Sequence, residues 1–144
     1  MDLQKILSQV ISSTNEIFEA EAGSVALLDP GGETITIRAA VGAGADAVRG
    51  LSLPVSKGVI GWVVTYEKPA LIPDVWQDDR FNSAVDKESG FHTESILCVP
   101  MQVDNHTIGV IELMNMRPDY LSENGLKILG VIADHAALVI ENAQ

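Results

Sequence analysis

The chain has 144 residues, of which 47% are apolar and only 5% aromatic, so one domain is expected with a core of Ile, Val, Leu and Ala. Nine basic residues against twenty acidic ones give a formal charge of −11; this acidity suits solubility and argues against nucleic-acid or anionic-membrane binding, which need clustered Lys and Arg. The single cysteine, Cys98, excludes an internal disulfide framework and a cysteine zinc site, and no apolar run approaches the ~20 residues of a membrane helix.

In chain order, Leu3, Ile6, Leu7, Val10, Ile11, Thr14, Ile17 and Phe18 recur at helical spacing with polar residues between them, which predicts an amphipathic helix ended by Glu19 to Gly23. Ser24 to Leu28 is a short apolar run closed by Asp29-Pro30-Gly31-Gly32, and the β-branched Thr34 to Arg38 follows. Together they predict a hairpin. Gly42-Ala43-Gly44 breaks that second strand, and Arg49 to Val55 holds a short third one with Pro54 near its edge. Val59 to Tyr66 is expected to be a short helix ending before Lys68-Pro69, although its β-branched content opposes that on propensity.

Ala70 to Ile72 is expected as a brief strand, and Pro73 to Gly90 as a long polar loop of the kind that forms lids and binding loops. Ser95–Val103 and Thr107–Met114 make a second hairpin around Asp104-Asn105-His106, where Asn accepts positive φ. Ser122 is placed to cap a final helix over Leu126–Asn142. Its apolar residues exceed one face: Leu126, Leu129, Ala133, Ala136 and Ile140 line one side, while Ile128, Val131, Ile132 and Val139 lie on others. The second stripe needs a partner, most simply a second copy of the chain. Leu3, Ile6, Val10, Ile128, Ile132 and Val139 are therefore the expected homodimer interface. Antiparallel hairpins with helices at both ends describe an α+β domain: one sheet, helices on one face, crossing segments on the other.

At this point the sequence resembles the GAF family across nearly its whole length, residues 1–144. The resemblance is carried by Ala22-Gly-Ser-Val-Ala-Leu-Leu-Asp29, Lys57-Gly-Val-Ile-Gly-Trp62, Pro69-Ala-Leu-Ile-Pro-Asp-Val75, Asp78-Asp-Arg-Phe81, Gly90 to Pro100, Ile108 to Asn115 and His135 to Ala143. Each string is weak alone; their order and spacing together are specific. The resemblance implies a PAS-related single domain with about six antiparallel strands. Its terminal helices lie on one face, and the middle helix and long loop enclose a pocket on the other. It implies a sensory or regulatory module of signal transduction and not an enzyme, with outputs such as histidine kinases of two-component systems, cyclases, phosphodiesterases or transcriptional activators. The chain is then expected to be a segment of a larger signalling protein, its output domain elsewhere. Met1-Asp2-Leu3-Gln4-Lys5 has no signal-peptide character, so a cytoplasmic location is expected.

Family members that bind cyclic nucleotides carry an N-K-…-F-…-D-E pattern after the last strand. Here Asn115 remains, but Met116, Leu121 and Gly125 stand at the Lys, Phe and Asp positions. The Lys and Asp of that pattern pair with each other, so their joint absence is the loss of one ion pair. Covalent bilin attachment needs an accessible nucleophilic cysteine, whereas Cys98 sits in the apolar run Ile96-Leu-Cys-Val99. The free-methionine-sulfoxide reductases of the family need several cysteines to resolve a sulfenic acid. For heme, His92 is a lone histidine, and His106 and His135 lack metal-ligand spacing with it. Asp74, Asp78 and Asp79 resemble no regular calcium loop, and Ser56-Lys57-Gly58 is no phosphate loop. No cofactor is therefore expected.

What remains is a noncovalent pocket for an unidentified small molecule. By family position its contributors are Trp62, Asp78, Arg80, Phe81, Thr93 and Ser95. Arg80 can meet an anion bidentately, and Phe81 or Trp62 can stack on a planar ligand. Equally, Asp78 and Arg80 can pair to fix the loop while Phe81 plugs the core. Two functions stay open: a ligand-gated sensor, or a ligand-free dimerisation module.

Overall fold

A computed structural model describes residues 2–144, with the side chains of all of these except Val85 and Glu88. The first helix, α1, spans Leu3–Phe18. The Asp2 side chain accepts a hydrogen bond from the Gln4 amide at its start, and Glu19 closes it in the left-handed conformation. Its buried residues, Ile6, Leu7, Ile11, Thr14 and Phe18, follow the predicted stripe. Burying each large apolar side chain contributes about 1.5–3 kcal/mol.

Six strands form one antiparallel sheet: β1 (Ala22–Leu28), β2 (Thr34–Gly42), β3 (Ser52–Pro54), β4 (Ala70–Ile72), β5 (Ile96–Val103) and β6 (His106–Met114). Their order is β3-β2-β1-β6-β5-β4, so the two hairpins meet through β1 and β6 at the centre. Asp104 and Asn105 both have positive φ, 49° and 67°, the two-residue turn whose twist suits a hairpin. The last helix, α5 (Glu123–Ala143), is capped by Ser122, whose hydroxyl accepts from the Gly125 amide.

Side chains alternate across the sheet and create two cores. On one face α1 and α5 pack Leu7, Ile11, Phe18, Leu129, Ala133 and Ile140 against Val25, Leu97, Ile111 and Leu113. On the other, α3 (Gly58–Tyr66) packs Val59, Ile60 and Val63 against Ile37, Ile72, Cys98 and Val110. Gly61 explains why β-branched residues succeed as a helix here. A Cβ at that position would lie 2.5 Å from the Val55 carbonyl oxygen, so glycine lets the helix dock, and tertiary packing overrides propensity.

Four segments differ from the sequence reading. β1 begins at Ala22 rather than Ser24, and β2 runs on to Gly42 because Ala39, Ala40 and Val41 continue its pairing with β1. A one-turn helix, α2 (Ala45–Val48), precedes β3. The Pro73–Gly90 stretch is not a bare loop: it contains a 3-10 turn at Val75–Gln77 and a helix, α4 (Ala84–Ser89), which ends at Gly90 with φ 75°.

Of the expected interface residues, Ile6 is buried within the chain's own core, and Leu3, Val10 and Ile132 are half-buried. Ile128 and Val139 are exposed, as are Ile17, Val131 and Leu138. No helix among the described residues is long and apolar enough to cross a membrane.

Candidate functional site

The sheet face under α3 and α4 has an unusual floor. The register aligns Ala40 with Ser24, Ser24 with Glu112, Glu112 with Cys98, and Cys98 with Ala70. One row across five strands therefore carries four small residues around a single long acidic one. Above Glu112 lies a cavity of about 80 Å³, with a neighbouring one of about 40 Å³ that Ser24 and Ala40 help to line. Glu112, Asp86, Ile37 and Met114 line both. The larger is otherwise mostly apolar, walled by residues including Leu53, Val59, Ile60 and Ile96.

Glu112 is 8% exposed. Its side chain makes no hydrogen bond or ion pair among the described residues, a costly state for a buried carboxylate. Burial, reinforced by the Asp86 carboxylate, pushes its pKa up to about 7. Asp86 reaches the cavity from α4 and accepts two hydrogen bonds from Thr93, from the amide at 2.8 Å and the hydroxyl at 2.7 Å. Thr93 is itself buried and lines the larger cavity.

Asn115 organises the segment carrying Thr93. In the left-handed conformation at φ 58°, it accepts from the amides of Glu94 and Ser95 at 2.6 and 3.1 Å and donates to the His92 carbonyl at 2.9 Å. Ser95 is thus buried beside β6, held by its backbone, and is not among the residues lining the cavities.

The other expected site residues divide. Phe81 lines the cavity and also an outer groove, which Trp62, Arg80, Asp79 and Tyr66 share. Arg80 forms a bidentate pair with Asp78, Nε to Oδ1 at 2.9 Å and an Nη to Oδ2 at 2.7 Å. Those bonds from Arg80 hold the Asp78 carboxyl below its ordinary range. The same guanidinium lies 4.3 Å from the centroid of the Trp62 ring. Trp76 packs edge-on against Phe81 and stacks on His92, with centroids 5.2 and 6.0 Å away. Phe81 and Thr93 thus meet at the cavity, whereas Trp62, Asp78 and Arg80 brace its outer wall.

Glu112 and Asp86 were not legible as site residues. The signal was present: Glu112 is the one charged residue within the apolar run Ile108–Met114, on the strand face opposite Ile111 and Leu113. Cys98 is fully buried, and burial pushes its thiol well above the ordinary range. His92, His106 and His135 are all exposed, and among the described residues no three His, Cys, Asp or Glu side chains converge as a metal site. Asp74 caps the 3-10 turn by accepting from the Trp76 amide.

Two positions of the cyclic-nucleotide pattern have structural roles of their own. Met116 is buried in the core beneath the terminal helices. At Gly125 a Cβ would lie 2.0 Å from the Tyr120 carbonyl oxygen, so the backbone as folded has no room for an Asp there.

The profile of the GAF domain matches residues 2–140. A dual 3',5'-cyclic-AMP and -GMP phosphodiesterase 11A from Takifugu rubripes is 35% identical over 97 residues, covering 65% of this chain and 11% of that protein. A probable 3',5'-cyclic phosphodiesterase from Caenorhabditis elegans is 23% identical over an alignment of 153 positions, covering the whole of this chain and 21% of that protein. The chain therefore spans only a fraction of the length of these relatives. Among solved structures, the GAF domain of an Acinetobacter phosphoenolpyruvate-protein phosphotransferase superposes with a TM-score of 0.85 at 22% identity, covering 99% of this chain and 84% of that one. Similarity across nearly the whole length, in sequence profile and in fold, gives one conclusion: the chain belongs to the GAF domain family.

Proposed function

We propose that this chain is a sensory module that binds a small molecule noncovalently in the cavity between the sheet and α3–α4 and relays its state through α1 and α5. The carrying observation is the buried Glu112, unpartnered among the described residues, facing a cavity walled mostly by aliphatic side chains. A core selected for stability alone would fill that space and avoid a buried carboxylate without a partner. The roof is built to respond. α4 is two turns long and is tied to the β5 segment by the Asp86–Thr93 contact, so a ligand touching Asp86 would shift its position. The chain itself does no chemistry in this reading. The output belongs to a larger signalling protein, of which the two phosphodiesterase relatives are examples and a histidine kinase another. A cyclic nucleotide is disfavoured as the ligand by Met116 and Gly125.

A second reading, dimerisation, has its own observation. Ile128, Val131, Leu138 and Val139 are 44–56% exposed on α5, and a groove between α1 and α5 is lined by Ile6, Val10, Ile17, Ile132 and Val139. Packing these faces in a homodimer would set two output domains in register, with or without a ligand. Native mass spectrometry of freshly purified chain tests the sensor reading: a small-molecule adduct that disappears on denaturation supports it. Bare protein that no fraction of a metabolite library stabilises leaves dimerisation as the function.

A further inference from the structure

The charge and shape of the cavity restrict its ligand. Two carboxylates of different elements, Glu112 of β6 and Asp86 of α4, line the same space, and the Thr93 hydroxyl beside them is already bonded to Asp86. Glu112 is more than nine-tenths buried, unpartnered among the described residues, and placed by strand alternation on the cavity side. Lys57 reaches the cavity rim but is exposed, and it pairs with neither carboxylate. A bound anion would meet repulsion here, and a neutral apolar molecule would leave Glu112 without a partner. A calcium ion needs six to eight oxygen ligands, and the surrounding Ile37, Leu53, Val59, Ile60 and Ile96 supply none. A primary ammonium fits better: it carries three donors on a compact charge, with an apolar stem free to lie against those aliphatic walls.

We propose that the cavity accepts a small aliphatic amine, its ammonium seated on Glu112 beside Asp86 and its hydrocarbon stem against the α3 side. The inference rests on the sensor pocket proposed above. Ser24 and Cys98 are the cross-strand neighbours of Glu112, and neither gives its carboxylate a hydrogen bond among the described residues.

The groups facing Glu112 set the pH behaviour. Asp86 comes from α4, Lys57 from the turn before α3, and Cys98 from β5. Burial keeps the Cys98 thiol protonated. Glu112, raised to about 7, changes state in the neutral range, while an aliphatic amine remains protonated. Binding therefore requires ionised Glu112 and strengthens as pH rises through about 7.

The test is calorimetric titration of the full chain with three probes of one shape: 3-methylbutylamine, 3-methylbutan-1-ol and 3-methylbutanoate. At pH 8 the amine should bind at least about tenfold more tightly than the alcohol, and the carboxylate should not bind. From pH 8 to pH 6 the amine should lose about tenfold in affinity, following the ionised fraction of Glu112. Glu112→Gln, which keeps the side chain's volume, should bring the amine to the affinity of the alcohol and remove the pH dependence. Equal binding of alcohol and amine, or an unchanged amine affinity in Glu112→Gln, overturns the amine assignment and leaves the pocket standing. If none of the three binds at either pH, the amine assignment is overturned, and native mass spectrometry of the purified chain decides the pocket reading separately.

Discussion

Thr93 gives Asp86 two hydrogen bonds, from its amide and from its hydroxyl, at 2.8 and 2.7 Å. This contact ties α4, part of the roof, to the segment that enters β5. Thr93→Val keeps the shape and removes the hydroxyl donor, at a cost of about 1 kcal/mol. Amides of Ala84–Ser89 should then exchange faster with deuterium, while β1 and β6 keep their protection, because the opening is local. Equal acceleration throughout the sheet would mean that the contact supports the whole fold and not the roof.

Asn115 gives a second, larger effect. Its three hydrogen bonds hold residues 92–95 against the end of β6 at a positive φ. Asn115→Ala loses them all and strains the backbone, so denaturant titration should show a loss of about 2–4 kcal/mol. Asn115→Gly relieves the strain and should lose less. If the two variants are equally destabilised, backbone strain contributes nothing measurable at this position.

Glu112 predicts an inverted pH dependence. Its pKa is raised to about 7 in the fold from an ordinary value of 4.5, so the folded state binds the extra proton between those values. Stability contributed by the group is fully present below pH 4.5 and is lost as pH rises through 7, up to about 3 kcal/mol. Asp78 acts in the other direction: its lowered pKa gives stability above the ordinary Asp range that disappears only in acid. Between pH 5 and 8 the denaturation midpoint should therefore fall. Glu112→Gln should flatten that slope and stabilise the chain at pH 8, whereas an unchanged slope in the variant would place its origin elsewhere.

Much of this architecture was legible in the sequence because it follows period and turn chemistry. Leu7, Ile11 and Phe18 announced α1 by spacing, and Asp104-Asn105 announced the second hairpin by their tolerance of positive φ. The short elements were not legible. α2 and α4 have too few turns to show a period, although α4 ends at a left-handed Gly90 and the Asn82 side chain, one residue before its N-cap Ser83, accepts from the Ala84 amide. The site was half legible for a related reason. Position along the chain does not say which way a side chain faces, so Arg80 and Trp62, expected at the pocket, stack on each other along the outer groove. Glu112 stands out as the one charged residue of the run Ile108–Met114, but which neighbours it meets depends on the register of β1, β6 and β5, which one strand's sequence does not contain.

The exposed apolar face of α5 leads to a prediction about assembly. Light scattering at tens of micromolar should report a dimer. Replacing exposed Ile128 and Val139 together by Glu should give a monomer whose denaturation midpoint hardly moves, because neither side chain is in the core. A monomeric wild type, or a double variant that stays dimeric, would remove these residues from the interface.

The most direct measurement of the central claim is hydrogen exchange of the full chain with and without the low-mass fraction of a cell extract. A sensor pocket predicts slowed exchange in Val75–Thr93, with a smaller accompanying change in α1 and α5, the relay elements. Identical exchange in both conditions, at every peptide, would contradict ligand sensing and leave the domain as a dimerisation module.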